Sequence, residues 1–218
     1  MTEMLTAHPD ARTVALYDRL APRYDRLHLR WLRHAGGEAQ VALEAIVRAI
    51  VTPGSTLLDA GCGTGAFARR LIAEGVSPSQ LTLLDPSEAM LRACADIAAW
   101  KVKGGLEALP FEDGAFDIVT CAWALETVGD MEGALAELAR VVRPGGVLCL
   151  AFCARRPPGG LTAWWMRQSI TWQGAGRFLE SDGVRAALER TGAFDVRTVP
   201  HRGPATALLA RRIAARSQ

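Results

Sequence analysis

The chain has 218 residues and a mass of 23.4 kDa, which is enough for a single domain to bury a full core without disulfides or metal ions. Apolar residues make up 50% and charged residues 22%, a composition that excludes wholesale disorder. The 25 basic and 23 acidic residues leave a net charge of +2. This balance provides no broad basic footprint for duplex nucleic acid, so we expect no nucleic-acid partner.

The cysteines and the apolar runs predict a cytoplasmic protein. Five cysteines, none in a CxxC pair, indicate buried thiols in a reducing compartment, and we expect no metal site. Residues 1–14 lack the apolar segment of a signal peptide, and the longest apolar run, 147–154, is too short to cross a bilayer. We therefore expect no stable membrane insertion. Monomer and homodimer both remain open.

The first third of the chain is predicted to be helical. Apolar and aromatic residues recur at three- and four-residue steps over residues 10–33, and Pro22 is expected to divide this stretch into two short helices. Gly36-Gly37 predicts a break. A further helix is predicted to end before Pro53.

From residue 56 onward, predicted strands and helices alternate. The strands are predicted at 56–60, 81–84, 100–103, 116–122, 147–153, 196–199 and 206–210, and the helices at 66–74, 88–98, 131–142 and 181–190, with Ser87 and Ser181 as caps. The alternation predicts an α/β fold with a mostly parallel seven-stranded sheet and helices on both faces. No helix separates the last two strands, so we expect an antiparallel C-terminal edge.

The most informative segment is LLDAGCGTG, residues 57–65, which follows a strand and begins a helix. Its three glycines let the backbone approach a ligand closely. The spacing is GxGxG rather than the dinucleotide pattern GxGxxG, and Asp59 would repel a pyrophosphate but suits a cation. Asp85 ends the next strand, 20 residues after Gly65, where a carboxylate can accept ribose hydroxyls. The segment predicts a ligand with a ribose and a positive centre.

Four motifs in order carry a family resemblance: LLDAGCGTG, LLDPSEAML, EALPFEDGAFDIV and VVRPGGVLCLAF. They resemble class I S-adenosylmethionine (SAM)-dependent methyltransferases, in the branch that includes quinone and small-molecule methyltransferases. The resemblance covers residues 55–154, and the pairs Tyr17-Asp18 and Tyr24-Asp25 are similar to the same branch. It implies a Rossmann-like fold, SAM as cofactor with S-adenosylhomocysteine as product, and a small-molecule methyl acceptor.

The resemblance also implies which residues hold the cofactor. Asp85 would hold the ribose, and Asp59 with the first two glycines would line the methionine end. The full implied set is Tyr17, Tyr24, Asp59, Gly61, Cys62, Gly63, Thr64, Gly65, Asp85, Pro86, Met90, Gly105, Leu106, Cys121 and Ala122. This chain departs from the pattern twice. Gly105 stands where many relatives have an acid, and Glu126-Thr127 stands where many have two histidines.

Methyl transfer depends mainly on alignment of the reacting atoms, and it needs a general base only when the acceptor arrives protonated. Glu126 and His28 are the candidate bases, and Trp123 is a candidate for contact with the substrate. Each also has a structural interpretation: Glu126 as a loop charge, His28 as a helix-surface histidine and Trp123 as a core tryptophan.

Two segments outside the core pattern are expected to form the rest of the single domain. Residues 1–52 are predicted to place helices over the cofactor, and Tyr17 and Tyr24 would either close over the ligand or attach those helices to the core. Residues 154–178 are predicted to form a cap in which Trp164, Trp165 and Arg167 bind substrate. Alternatively, the cap tryptophans pack on the core and its arginines face water.

Other functions remain open at this stage. A lipid or quinone methyltransferase at a membrane surface and a non-catalytic SAM-binding partner protein both fit the motifs. A nucleic-acid methyltransferase is disfavoured, because Cys121-Ala122-Trp123-Ala124 occupies the place of a [DNS]-P-P-[YFW] motif. A nicotinamide-dependent oxidoreductase is disfavoured by Asp59 and by the missing GxGxxG.

Overall fold

The computed structural model describes residues 10–155, 177–191 and 193–214. The helices in these ranges are α1 (Ala11–Trp31), α2 (Gly37–Ile50), α3 (Ala66–Ala73), α4 (Glu88–Ala93), α5 (Met131–Val141) and α6 (Ser181–Arg190). The strands are β1 (Leu57–Ala60), β2 (Leu81–Asp85), β3 (Trp100–Lys103), β4 (Phe116–Ala122), β5 (Val142–Cys153), β6 (Phe194–Thr198) and β7 (Ala205–Arg212).

The strands form one seven-stranded sheet in the order β3-β2-β1-β4-β5-β7-β6. The pairs from β3 to β5 are parallel, and β7 is antiparallel to both β5 and β6. The predicted mostly parallel sheet with an antiparallel C-terminal edge is confirmed. The last strand in the chain is not the outermost one, because β7 lies between β5 and β6.

Both faces of the sheet are covered, as predicted. Leu58, Val119 and Phe152 belong to one buried cluster with residues of α5 and α6. Leu57 and Ile118 belong to a second cluster with residues of α2 and α3. Neighbouring residues of one strand thus enter opposite cores, which explains why β1 and β2 are apolar on both faces apart from Asp59, Thr82 and Asp85.

The predicted break at Pro22 is wrong, because α1 is one continuous helix with Pro22 inside it. Contacts on both sides of the proline hold the helix to the rest of the protein. Asp18 accepts hydrogen bonds from Ser87 Oγ (2.6 Å) and the Ala89 amide (3.2 Å), and Asp25 accepts one from the Thr64 hydroxyl. These tertiary bonds offset the hydrogen bond that proline cannot donate.

Gly36-Gly37 is also not a break. A single π-helical turn over Leu32–Gly36 joins α1 to α2, so the chain stays helical throughout. A side chain at Gly36 would overlap the ring of Trp31. The glycine is therefore needed for close packing and not for a change of direction.

Smaller differences have local causes. β5 starts at Val142, five residues before the predicted start at residue 147. Its pairing register with β4 shifts between Val142 and Val147, a segment that contains Gly145 with φ +79°. α4 ends at Ala93, short of the predicted residue 98. Ser181 does not cap α6, since its hydroxyl pairs with that of Thr206 at 2.8 Å, whereas Ser87 caps α4 as predicted.

The five cysteines are all free and buried, as predicted. Among the described helices, none is long and apolar enough to cross a membrane.

Candidate active site

The glycine turn between β1 and α3 is a tightly packed loop. Gly61, Gly63 and Gly65 all have positive φ, at 77°, 53° and 79°, a backbone region that side chains disfavour. A side chain at Gly61 would overlap that of Ala124, and one at Gly65 would lie 2.6 Å from Ile97 Cδ1. The turn therefore requires glycine both for its dihedral angles and for the close approach of its neighbours.

Asp85 fixes this turn to the end of β2. Its Oδ2 accepts a hydrogen bond from the Gly63 amide and its Oδ1 one from the Ser87 amide, both at 2.9 Å. The side chain is buried, and burial raises its pKa to about 6, although the two amide bonds oppose the rise. Each oxygen retains a lone pair that can accept a further hydrogen bond from a ligand.

Asp59 lies behind the turn with one oxygen unsatisfied. Thr120 Oγ1 donates to its Oδ1 at 3.0 Å, and its Oδ2 has no hydrogen-bond partner. Burial raises the pKa of this carboxyl to about 7. An unsatisfied buried carboxylate is costly, and a cation nearby would lower that cost.

α1 forms the wall opposite the turn. Its residues Tyr17 and Tyr24 reach the cleft, and the Tyr24 ring lies 3.6 Å from the position of a side chain at Gly63. Burial raises the pKa of both phenols, so both are neutral near pH 7. The bonds of Asp18 and Asp25 hold these rings in place on the same helix.

Aromatic side chains continue from this wall along α1. His28 stacks between Tyr24 and Trp31, with ring centroids 5.4 and 5.9 Å apart. The Trp31 ring then makes an edge-on contact with Trp123, with centroids 4.3 Å apart. Burial lowers the His28 pKa to about 4, and nearby Arg70 adds to the decrease. His28 is therefore a neutral imidazole within an aromatic stack.

Trp123 has an unusual backbone, with φ +62°, the only positive value outside glycine among the described residues. Its amide donates to the Ala151 carbonyl at 2.8 Å, and its indole N–H donates to Gln40 Oε1 at 2.5 Å. Such strain in a bulky residue persists only where the surroundings impose it, and it is common at functional sites.

These elements line a cleft that is open to solvent on one side. Its empty space is about 640 Å³ when the solvent-filled space at the opening is included. Predicted site residues that line it are Tyr17, Tyr24, Gly61, Gly63, Asp85, Pro86, Met90, Gly105, Leu106 and Trp123. Ten of the predicted site residues thus line one cleft, and they come from α1, the glycine turn, the ends of β2 and β4, α4 and the segment after β3.

The other predicted residues lie around the lining or outside the described ranges. Within the turn, the Thr64 hydroxyl donates a hydrogen bond to Asp25, and Gly65 packs closely against Ile97. Cys121 and Ala122 are core residues of β4. Cys62 and Cys94 both approach the Gly63 carbonyl, at 3.6 and 3.3 Å. Trp164, Trp165 and Arg167 lie outside the described residues.

Glu126 is buried in the short turn Leu125–Thr127, next to Thr127 of the cleft lining. Its Oε1 accepts a weak hydrogen bond from the Cys153 amide at 3.3 Å, and its Oε2 has no partner. Burial raises its pKa to about 7, and its charge in turn raises the pKa of Tyr17. The arrangement is a carboxylate close to a cleft residue and able to take up a proton near neutral pH.

Glu107 was not among the predicted site residues. It lines the cleft beside Gly105 and Leu106, its Oε1 accepts from the Gly129 amide at 3.1 Å, and its Oε2 is buried without a partner. The sequence did carry a signal for it, because Glu107 is an acid two residues after Gly105, the position where many relatives have an acid. Other lining residues that were not predicted are Asp10, Thr13, Val14, Ser87, Ala124, Thr127 and Val128.

A parallel sheet whose first strand enters a glycine turn, with an acid at the end of the next strand, defines an α/β protein that binds a nucleoside-containing cofactor. Comparison with known proteins identifies which kind. The model of the methyltransferase domain family matches residues 58–150. The malonyl-[acyl-carrier protein] O-methyltransferase of Pectobacterium atrosepticum is 33% identical over 189 residues, which are 85% of this chain and 70% of that protein. The chain belongs to the class I SAM-dependent methyltransferases, a family that uses SAM as methyl donor.

One further relative supports this assignment, and one solved structure shares the fold. The ubiquinone/menaquinone biosynthesis C-methyltransferase UbiE of Methylobacterium nodulans is 35% identical over 164 residues, which are 68% of this chain. The present chain spans only 62% of the length of that relative. The solved structure of the [4+2]-cyclase SpnF has the same fold, with a TM-score of 0.72, 19% identity, and coverage of 96% of this chain and 98% of its own.

Proposed function

We propose that this protein transfers the methyl group of SAM to a small-molecule acceptor by in-line displacement. The observation that carries the proposal is the glycine turn at Gly61 and Gly63. It is open to the cleft, bonded to Asp85 and backed by the unpartnered Oδ2 of Asp59. The methyltransferase names of the relatives support the reaction class, while the fold shared with a cyclase shows that fold alone does not name a reaction.

The residues present fit SAM. The two glycines leave space for the methionine part, and the field of Asp59 suits its positive groups. Asp85 has lone pairs left for ribose hydroxyls, and Glu107 Oε2 can accept from the adenine amino group in place of the acid missing at Gly105. When bound, SAM supplies an activated methyl group on a sulfonium.

The chain contributes alignment, exclusion of water and a proton acceptor. α1 covers the turn and keeps water away from the reacting atoms, and Trp123 forms a rigid wall through its two hydrogen bonds. Glu126 takes the proton of an acceptor hydroxyl or acidic carbon as the new bond to carbon forms, and it does so best with a pKa close to 7. Alignment supplies the larger part of the rate, on the order of 7–11 kcal/mol.

Glu126 also constrains the acceptor class. A negative side chain next to the cleft disfavours a free carboxylate, the group that the malonyl relative's name indicates, and favours a phenol, enol or quinol. The UbiE relative is named for ubiquinone and menaquinone biosynthesis, and the reduced forms of such quinones are quinols. The five buried thiols fit a reducing cytoplasm.

The cofactor half of the proposal is tested by calorimetry with S-adenosylhomocysteine. Asp85→Ala is expected to weaken binding by about 1.5–3 kcal/mol, the usual contribution of hydrogen bonds to a charged group. Asp182→Ala, which removes an exposed acid in α6, is the matched control and should bind as the wild type does. Unchanged affinity in the Asp85 variant would contradict the site.

The transfer half is tested with methyl-labelled SAM and a cell extract. Label in the organic-soluble or small polar fraction supports a small-molecule acceptor and distinguishes quinone-like from charged acceptors. Label in protein or nucleic acid overturns the proposal. Intact cofactor binding without label in any extract supports the non-catalytic alternative.

A further inference from the structure

α1 and the turn after it carry two stripes of opposite character. Tyr17, Tyr24, His28 and Trp31 follow each other at steps of seven, four and three residues and face the protein. Arginines repeat with the same heptad spacing on a different side of the helix: Arg12, Arg19, Arg23, Arg26, Arg30 and Arg33. At 3.6 residues per turn, the five arginines within α1 lie within about 60° of one another and nearly opposite the aromatic stripe.

All six arginines of this stripe are exposed, and none makes an ion pair with another described residue. The two acids of the helix, Asp18 and Asp25, are bonded to Ser87 and Thr64 and do not neutralise the stripe. Residues 11–36 therefore carry a net charge of +4, while the whole chain carries +2, so the rest of the chain is at −2.

Exposed apolar side chains flank the arginine stripe. Leu27 is 45% exposed and Leu29 is 57% exposed, and the helical repeat places them on either side of the arginines. By contrast, the arginines in the parallel-sheet half of the molecule are mostly paired, as in Arg69–Asp96 and Arg140–Glu137. The stripe is thus an unpaired cationic line about 30 Å long with leucines at its margins.

We propose that the arginine stripe of α1 docks the protein on the surface of a bilayer that contains anionic lipid. A straight line of cations with apolar residues at its sides matches a flat negative surface into which leucines can insert. A folded acidic protein would need neither the full length of the stripe nor its exposed leucines. The inference goes beyond methyl transfer and does not depend on it.

Docking in this way explains the position of the cleft. The opposite side of α1, with Tyr17 and Tyr24, forms the cleft wall. The cleft would then lie about one helix diameter, ~10 Å, from the lipid headgroups. An apolar acceptor dissolved in the bilayer would be within reach of an enzyme that does not itself insert.

The test is sedimentation of the full chain with vesicles of phosphatidylcholine alone or with 30% phosphatidylglycerol, at low and high salt. We expect binding only to the anionic vesicles, with loss at high salt. R19Q/R23Q/R26Q should bind roughly a hundredfold more weakly, since each arginine near an anionic surface contributes about fivefold. L27S/L29S should weaken binding as well.

The matched control is R92Q/R190Q/R197Q, which changes the same net charge through exposed arginines elsewhere. It should keep vesicle binding, and S-adenosylhomocysteine affinity should be unchanged in all three variants. No binding to anionic vesicles, or equal loss in the control, overturns the proposal. Tighter binding to soluble poly-glutamate than to vesicles also overturns it and assigns the stripe to an acidic protein.

Discussion

At the scale of single residues, three carboxylates near the cleft keep one buried oxygen without a hydrogen-bond partner: Asp59, Glu107 and Glu126. Unsatisfied buried carboxylate oxygens are expensive, and clusters of them are typical of sites that bind or react with a ligand. Asp59 and Glu126 were predicted as site residues from their motif positions. Glu107 was not, because its role depends on where its second oxygen points.

Glu107 is expected to set the choice of base in the cofactor. Glu107→Gln keeps an acceptor for the Gly129 amide but presents a donor where Oε2 was. S-adenosylhomocysteine should bind roughly tenfold more weakly to this variant, because it loses one hydrogen bond that contributes about 1–1.5 kcal/mol. The inosine analogue, which has an acceptor in place of the amino group, should gain affinity. Calorimetry with both ligands decides the point, and equal losses for the two would contradict the contact.

Glu126 is expected to act as the proton acceptor. Only the carboxylate form can take a proton, and burial raises its pKa to about 7, so the wild-type rate should fall as the pH drops below 7. Glu126→Gln should lower kcat by about 10²–10⁴-fold and abolish this pH dependence. Glu112→Gln, an exposed loop position, is the control. A full rate in Glu126→Gln would leave the residue a structural role only.

At the scale of elements, α1 is a lid whose position depends on two side-chain bonds separated by two helical turns. Asp18 reaches the start of α4, and Asp25 reaches the glycine turn, so the helix is tied to two different sides of the cleft. The aromatic stack from Tyr24 to Trp123 then packs between the helix and β4.

Loss of the Asp25–Thr64 bond should loosen this lid. Asp25→Ala is expected to weaken S-adenosylhomocysteine binding by about 1 kcal/mol and to speed amide hydrogen exchange in α1. Thr64→Val should have the same effect, and the double variant should add nothing further, because the two side chains act as one pair. The amides of α5 serve as an internal control. Additive effects of the two substitutions would show that the bond does not hold the helix.

At the scale of the whole molecule, buried acids make stability depend on pH in an uncommon direction. The pKa values of Asp59 and Glu126 rise to about 7 and that of Asp85 to about 6, so the fold favours their protonated forms. These three carboxyls add most to the free energy of unfolding below the ordinary carboxyl pKa near 4, and this added stability is lost as the pH rises through 6–7. His28, with a pKa lowered to about 4, acts oppositely, but its contribution is nearly complete above pH 6.5.

The free energy of unfolding, measured with urea and without cofactor, should therefore fall between pH 6 and pH 8. Asp59→Asn removes one of the titrating groups and should reduce this decrease by on the order of 1 kcal/mol. Asp182→Asn should leave the decrease unchanged, since that side chain is exposed. A wild-type stability that rises over this interval would contradict the assignment of the buried acids.

Local pattern and overall architecture were predictable to different degrees. The glycine turn, the cap at Ser87 and the sheet with covered faces follow from backbone preferences and from the alternation of strands and helices, which neighbouring residues carry. The break at Pro22 was predicted wrongly, because the bonds of Asp18 and Asp25 that keep α1 intact join it to residues 39 to 71 positions away.

The sequence by itself determined the class of fold, the family and the cofactor turn, because periodicity, glycine spacing and ordered motifs are properties of short segments. Only the tertiary structure decided that β7 lies between β5 and β6 and that α1 runs unbroken along the cleft. It also decided that Glu107 and Glu126 each keep one buried oxygen without a hydrogen-bond partner. The physical reason is that strand order, helix continuity and hydrogen-bond satisfaction depend on contacts between segments far apart in the chain.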